Sequence, residues 1–422
     1  MLAFLLLLAA AAPAAAAPWR DPVGVSGAHE FVDTLGLAFA RDGTGLATWT
    51  AQDGVGTGAT GGTFAAPLGA PERRISAASV VTAPVLYGTS RAVVATQRPA
   101  GDKTRLSVVF GRADGSFGAP RTIAVRRNVR SVQVAANAQG DIAIAWFEDR
   151  GVVDDRVYVA LRPHGKPFTP PVLQATDRVR SVSIAVSPRG DLLLAWDARG
   201  IVRTRYKPAR SSRFRHRVTI ASEPAFFARL RTAVTGNGRA YVAWAAQLLT
   251  EGGDRGDAFY EAAVMPAGAT RFRAAQLLER RPASEAAGGL DLVADDANGA
   301  TVAWGATTVK AATTGAAASF GAAQTVAPGL EAALAGAPDG RALVALIAGP
   351  GDAQDGALQA AAKPATGAFG PPETVTTGPQ ARVPAAAFDA RGNRWGLVWS
   401  NRPSGETAPI RTFLQASLRP AA

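Results

Sequence analysis

The chain has 422 residues, no cysteine and a formal net charge of +12. The missing thiols exclude disulfides, thiolate metal centres, cysteine nucleophiles and the lipidated cysteine of a bacterial lipoprotein. The charge raises a polyanionic partner, but arginine supplies 40 of the 45 basic residues, a bias that a GC-rich genome explains, so the charge alone does not indicate nucleic acid.

Residues 1–17 read as a secretory signal. Leu5 to Leu8 begin a short apolar core, and the alanine run after it offers small-residue cleavage sites. No Lys or Arg precedes the apolar run, so either the start lies upstream or the signal is atypical. The segment is too short for a comfortable membrane span of about 20 residues, and no other apolar run reaches that length. The expected mature protein is residues 18–422, secreted or held in the periplasm or cell envelope, with no membrane span.

Immediately after this segment stands Trp19-Arg-Asp-Pro22-Val-Gly-Val25. Its meaning depends on the rest of the chain, where a half-unit recurs: an apolar strand, a polar turn ending in Gly, a second apolar strand, then Trp. Val134 to Gly140 followed by Asp141 to Trp146 is one copy, and Ala185 to Gly190 followed by Asp191 to Trp196 another. Trp49, Trp244, Trp304 and Trp399 end further copies, while Thr96 and Leu346 replace Trp in two. These eight marks are 42 to 60 residues apart. A second half-unit follows: a strand, a Gly-containing turn, Phe, and often Pro soon after. Its copies centre on Phe64, Phe117, Phe168, Phe214, Phe272, Phe320 and Phe369. The eighth is missing after Trp399, and Trp19 to Val25 matches Phe117 to Ile123 in spacing.

The last strand of the last repeat therefore opens the mature chain. Ring closure uses this arrangement, because pairing the two termini removes the free edges of an open array. Period-two alternation with β-branched and aromatic residues favours strands throughout. In the third unit they are expected at 131–136, 141–147, 156–162 and 170–174. The expectation is an all-β chain forming one closed β-propeller of eight four-stranded blades, or seven if the Trp-less second unit is irregular.

The layout resembles secreted bacterial β-propellers of sialidase-like or WD-type repeats, at about 50 residues per blade over the whole mature chain. The resemblance is architectural. A sialidase-type Asp-box places Ser and a spaced Asp in the turn before the outer strand, whereas Gly115-Ser-Phe117 keeps only the Gly and an aromatic, with Asp114 nearby. The resemblance implies a propeller and leaves the activity open.

Several residues are candidates for chemistry. The register tryptophans recur at one structural position and are read as blade-to-blade packing. His29, His164 and His216 lie in different units without metal-ligand spacing, so no metal and no cofactor is expected. Arginines gather before the innermost strands. Arg130, Arg180 and Arg382 each stand ten residues before a turn Gly, and Arg229 and Arg231 flank the same region. A ring of guanidinium forks at one channel mouth suits carboxylate, sulfate or phosphate; the alternative is a solvated rim that follows from composition. Phe226, Phe227, Phe259 and Tyr260 fall outside the Trp register and are expected to give that face an apolar floor. Glu148, Asp149, Asp154, Asp155, Asp197, Glu251, Asp254 and Asp257 lie in or near loops on the same face, where paired carboxylates could perform glycosidic acid–base chemistry. Arg255-Gly256-Asp257 spells an adhesion tripeptide, read as chance, and Asp295 to Gly299 reads as a tight turn. Two functions follow: a non-catalytic extracellular binding or scaffold propeller for an anionic polysaccharide, cell-envelope polymer or another extracellular protein, acting as a monomer; or a glycan-active hydrolase or lyase.

Overall fold

A computed structural model describes residues 18–53, 60–77, 80–151, 153–222, 225–249, 255–285, 287–296, 299–315, 318–349, 356–376, 381–391, 393–401 and 413–421. The expected leader, residues 1–17, and two of the loop acids, Glu251 and Asp254, lie outside them. The described chain is all β, and its strands form eight antiparallel sheets. These are the blades of a closed propeller. Blades 1 to 8 open respectively on Phe31–Phe39, Val80–Val81 with Val85–Tyr87, Val129–Ala136, Val179–Val186, Ala225–Val234, Gly289–Ala294, Leu330–Gly336 and Ala381–Asp389. In blade 3 the strands are Val129–Ala136, Ile142–Glu148, Asp155–Arg162 and Val172–Asp177, each within a few residues of its expected place.

The second strand of a blade is covered on both faces by its neighbours. Its sequence is accordingly a continuous apolar run, and Leu192–Ala198 is buried at every position. The six register tryptophans are fully buried. Each packs against the preceding blade: Trp196 among Ala143, Val157 and Val159, and Trp244 among Leu193, Ala195 and Val202. Leu346 does the same against blade 6. The Phe series joins these layers. Phe168, Phe214, Phe272, Phe320 and Phe369 each sit in the same cluster as the register residue of their own blade.

Blade 1 departs from the expected pattern. Phe64 lies inside the third strand, Thr60–Pro67, opposite Trp49 and stacked on it at 6.0 Å, and the turn falls later, after Pro67. Leu68 in that turn supplies apolar packing instead. Blade 2 is the irregular unit, but it is a blade: its inner strand is broken in two, and both pieces pair with Arg91–Ala100.

Closure occurs as the repeat predicts. Val23 pairs with Ala416 and Gly24 with Gln415, so the N-terminal strand becomes the outer strand of blade 8. The Arg20 N–H donates to Leu418 O at 3.0 Å and the Val25 N–H to Leu414 O at 2.8 Å. Two faces result. The entry face carries the connections into each inner strand and those between second and third strands. The turn face carries the first-to-second and third-to-fourth turns. Recurrent glycines belong to the turn face: Gly140 and Gly190 have φ of 100° and 91°, a region that side-chain-bearing residues rarely adopt. Neighbouring turns there are laced together. The Arg41 N–H donates to Thr89 O, the Gly88 N–H to Ala138 O, and Asn137 Nδ2 to Ser187 O.

Candidate functional site

The entry ends of the inner strands share a device. A bulge interrupts the pairing between Asp33 and Gly36, Arg130 and Gln133, Val179 and Val182, Phe227 and Arg229, Leu330 and Ala333, and Arg382 and Ala385. A bulge twists the strand locally and re-aims its side chains. Arg130 and Arg382 occupy equivalent places just before it, opposite Phe147 and Ser400. Arg180 follows Val179 at the same level in blade 4. The sequence register of these three arginines is thus a structural register.

In blade 4 the bulge is held by Asp197. Its Oδ1 accepts the backbone N–H groups of Arg180 and Ser181, at 2.8 and 2.7 Å. Asp197 is fully buried and its Oδ2 has no partner among the described residues. Burial pushes this carboxyl up to about 6, against the pull of the two N–H groups and of Arg180. Ser131, at φ 50°, links the bulges of blades 3 and 4 by accepting the Val182 N–H at 3.1 Å.

Arg130, Arg180 and Arg229 are exposed and Arg231 is half-buried. Arg130 lies 3.8 Å from Asp149, a loose and solvated pair. Arg231 meets Asp291 on the inner strand of blade 6 at 3.4 Å. Beside Arg130, a cleft of about 750 Å³ is lined by Arg127, Arg150 and Arg156 together with Asp102, Glu148 and Asp149. The structure therefore brings Arg130 together with Asp149 among the loop acids of blade 3, and parts Arg231 from it towards blade 6. The side chains of Arg382, Phe226 and Phe227 lie outside the described ones.

The expected apolar floor is corrected at Phe259 and Tyr260. Both are core residues, at 6% and 0% exposure. Phe259 packs between blades 4 and 5 with Trp244. Tyr260 points the opposite way, 6.0 Å from Trp304, and its hydroxyl accepts the Gly288 N–H at 2.7 Å. Both rings are taken up in packing between blades.

Three of the described loop acids, Asp149, Asp155 and Asp257, have donors of their own. Asp149 accepts from Asn128 Nδ2 at 2.7 Å and from the Gly151 N–H at 2.9 Å. Asp155 accepts the N–H groups of Arg150 and Val179, at 2.9 and 2.8 Å. Asp257 pairs with Arg280 at 2.9 Å. His164 and His216 are exposed, whereas His29 is buried between Asp53 and Glu72, at 3.2 and 3.3 Å. No group of three or more metal-ligating side chains is found among the described residues.

The turn face holds a cluster that sequence spacing does not reveal. Arg91, Arg112, Arg121 and Arg162 line one cavity between blades 2 and 3 with Tyr87 and Phe110. They come from four strands in two blades and share no motif; the one legible signal is that each stands at or next to the end of an apolar run.

No family model matches the chain, and no curated protein matches it. Solved propellers do. The chain is similar to the "Hadza microbial sialidase Hz136", at 10% identity and TM-score 0.39, covering 75% of this chain and 74% of that one. It is similar to a PL25 ulvan lyase, at 11% identity and TM-score 0.47, covering 78% and 90%. It is also similar to the Aleuria aurantia lectin, solved as a mutant with α-methyl-L-fucoside, at 12% identity and TM-score 0.41, covering 69% and 95%. At these identities and scores the likeness carries no further argument; it is the chain's own strand pairing that makes it an eight-bladed β-propeller.

Proposed function

We propose that this chain is a non-catalytic binding propeller of the cell exterior or envelope, whose entry face engages an anionic polymer such as an acidic polysaccharide. The observation that carries the reading is the presentation of exposed Arg130, Arg180 and Arg229 at the bulged ends of the inner strands of three successive blades. Guanidinium forks at a channel mouth match carboxylate or sulfate groups repeated along a chain. The pairs at Arg130 and at Arg127 are long, 3.8 and 3.7 Å, and solvated, so a ligand oxyanion can replace their carboxylates at little cost.

The rival is a glycan-active hydrolase or lyase. Such an enzyme needs an acid and a base that converge in one pocket with displaced protonation. The candidate acids Asp149, Asp155 and Asp257 are instead committed to backbone or side-chain donors. Asp197, the one entry-face acid with a strongly raised value among the described residues, is sealed behind the bulge with no exposed surface.

The test is the triple change Arg130→Ser, Arg180→Ser and Arg382→Ser, assayed for retention on heparin-like and uronate polymers. Retention of the unaltered protein is expected to fall steeply with salt, because the Debye length drops from about 10 Å at 0.1 M to about 3 Å at 1 M. The triple variant is expected to elute at markedly lower salt. Unchanged elution with an intact fold returns these arginines to a solvated rim. Turnover of any purified glycan by the unaltered protein overturns the non-catalytic reading.

A further inference from the structure

A second surface, on the opposite face, goes beyond the entry-face reading. Arg91 opens the second strand of blade 2, Arg112 closes its third and Arg121 opens its fourth; Arg162 closes the third strand of blade 3. All four therefore reach the turn face together, around a cavity of about 460 Å³. That volume lies within the ordinary range of small-molecule sites.

Three features distinguish this cavity from a chance patch of basic residues. The first is an excess of positive charge. No Asp or Glu lines the cavity and none of the four guanidinium groups is in an ion pair among the described residues; the carboxylate of Asp114, held by Ser116 at the rim, offsets Arg112 alone among the four. Arg91 and Arg112 are direct cross-strand partners, an arrangement that destabilises a sheet when both charges have the same sign. Local violations of this kind are expected where function requires them. The second is preorganisation. The guanidinium carbons of Arg121 and Arg162 lie 5.6 and 5.1 Å from the centroid of the Phe110 ring. Stacking on one ring holds both forks in place before a ligand arrives. The third is an unused hydroxyl. Tyr87 is 6% exposed, lines the cavity, and its hydroxyl hydrogen-bonds to no described residue. Burial pushes its phenol up, while the nearby Arg162, Arg91 and Arg121 pull it down, so Tyr87 carries its proton and is a donor at neutral pH.

We propose that this cavity is a binding site for a small organic oxyanion: a carboxylate, sulfate ester or phosphate ester carried on a body of about the size of a sugar. Planar guanidinium forks recognise all three oxyanions through paired N–H···O bonds. The cavity exceeds what a bare ion fills, and the Tyr87 hydroxyl supplies a neutral donor beside the charge. Ligand binding also relieves the repulsion between Arg91 and Arg112.

The experiment titrates the full chain with glucuronate, glucose 6-sulfate, glucose 6-phosphate and inorganic sulfate, by calorimetry and thermal shift. Three variants run alongside: Arg91→Gln with Arg121→Gln, Tyr87→Phe, and the entry-face pair Arg130→Ser with Arg180→Ser. At least one organic oxyanion is expected to raise the melting temperature of the unaltered protein and of the entry-face variant alike. The cradle double variant is expected to lose about tenfold or more in affinity. Its melting temperature without ligand is expected to equal or exceed that of the unaltered protein, since a like-charge pair is gone. Tyr87→Phe keeps volume and charge and guards against a folding artefact; it is expected to weaken binding a few-fold with an unchanged unliganded melting temperature. The order of the organic probes identifies the oxyanion. Loss of binding in the entry-face variant but not in the cradle variant overturns this proposal and leaves the entry-face reading standing. Absence of binding to every probe, or equal affinity for inorganic sulfate and the best sugar, also overturns it.

Discussion

One buried carboxylate of the entry face, Asp197, ties the stability of the fold to pH. Asp197 has an ordinary value of 3.8 that burial raises to about 6 in the folded chain. Between those values the folded state keeps a proton that the unfolded chain has released. Stability therefore falls as pH rises through this window, by about 3 kcal/mol at most for a shift of that size. Asp197→Asn keeps an oxygen to accept the Arg180 and Ser181 N–H groups and removes the titration. Urea midpoints measured from pH 4 to 8 are expected to fall for the unaltered protein relative to the variant, with the change centred between pH 4 and 6. A constant difference across that range refutes the assignment. The sequence places Asp197 in a loop after Trp196, among candidate catalytic acids; its burial follows from the bulge, which no spacing announces. The same limit explains Phe259 and Tyr260. Adjacent residues of one strand point to opposite faces, and a propeller covers both faces of a third strand, so an aromatic pair outside the Trp register is still core.

Blades differ in how firmly they are seated, and the difference follows from the register residue. At the boundary of blades 1 and 2 the tryptophan is replaced by Thr96, and the apolar layer shrinks to buried Leu46, Ala65 and Ala92, with Ile75, Leu86 and Phe117 around them. Leu346 keeps a large apolar group at its own boundary and the layer there stays wide. The broken inner strand of blade 2 is the structural counterpart of that loss. Hydrogen exchange is expected to be fastest, among inner strands, at Val80–Val81 and Val85–Tyr87, and much slower at Val179–Val186. Uniform protection of the eight inner strands contradicts this. Trp196→Ala is expected to cost about 3–5 kcal/mol, from a buried ring whose Nε1 also donates to Asp177 at 2.9 Å. Thr96→Ala is expected to cost far less. The blade plan was legible because a strand sandwiched between sheets must be apolar on both faces, and the repeat prints that run eight times. The turn of blade 1 was not legible, because Phe64 opposite Trp49 and Phe117 beyond its strand look alike in sequence.

One short strand joins the N-terminal part of the chain to the last blade of the ring. Trp19 packs into the layer between blades 7 and 8, where Arg419 lies over its ring at 5.8 Å. Val25 joins the layer between blades 8 and 1 with Leu37, Trp49 and Val398. Between them, Val23 and Gly24 pair with Phe413–Pro420, while Ser26 Oγ accepts the Leu414 N–H at 2.9 Å. The segment therefore does two things: it covers the edge of blade 8, and it contributes a large side chain to one layer beside that blade and a smaller one to the other. Deleting residues 18–26 removes both. The stability loss is expected to be on the order of 2–3 kcal/mol, from half-buried Trp19 and buried Val25 together. An uncovered strand also offers its unpaired N–H and C=O groups to any other chain, so the truncated protein is expected to self-associate as concentration rises. Light scattering and denaturant midpoints measure the two effects separately. A synthetic peptide of residues 18–26 supplied in excess is expected to reverse both, because it can occupy the vacant edge with the same pairing. A truncated protein that stays monomeric with an unchanged midpoint means that blades 8 and 1 hold together without the strand, and closure then rests on their facing layers alone. Failure of the peptide to rescue, with the truncation effects present, means instead that the covalent link from the strand into Phe31–Phe39 is what fixes blade 8 against blade 1.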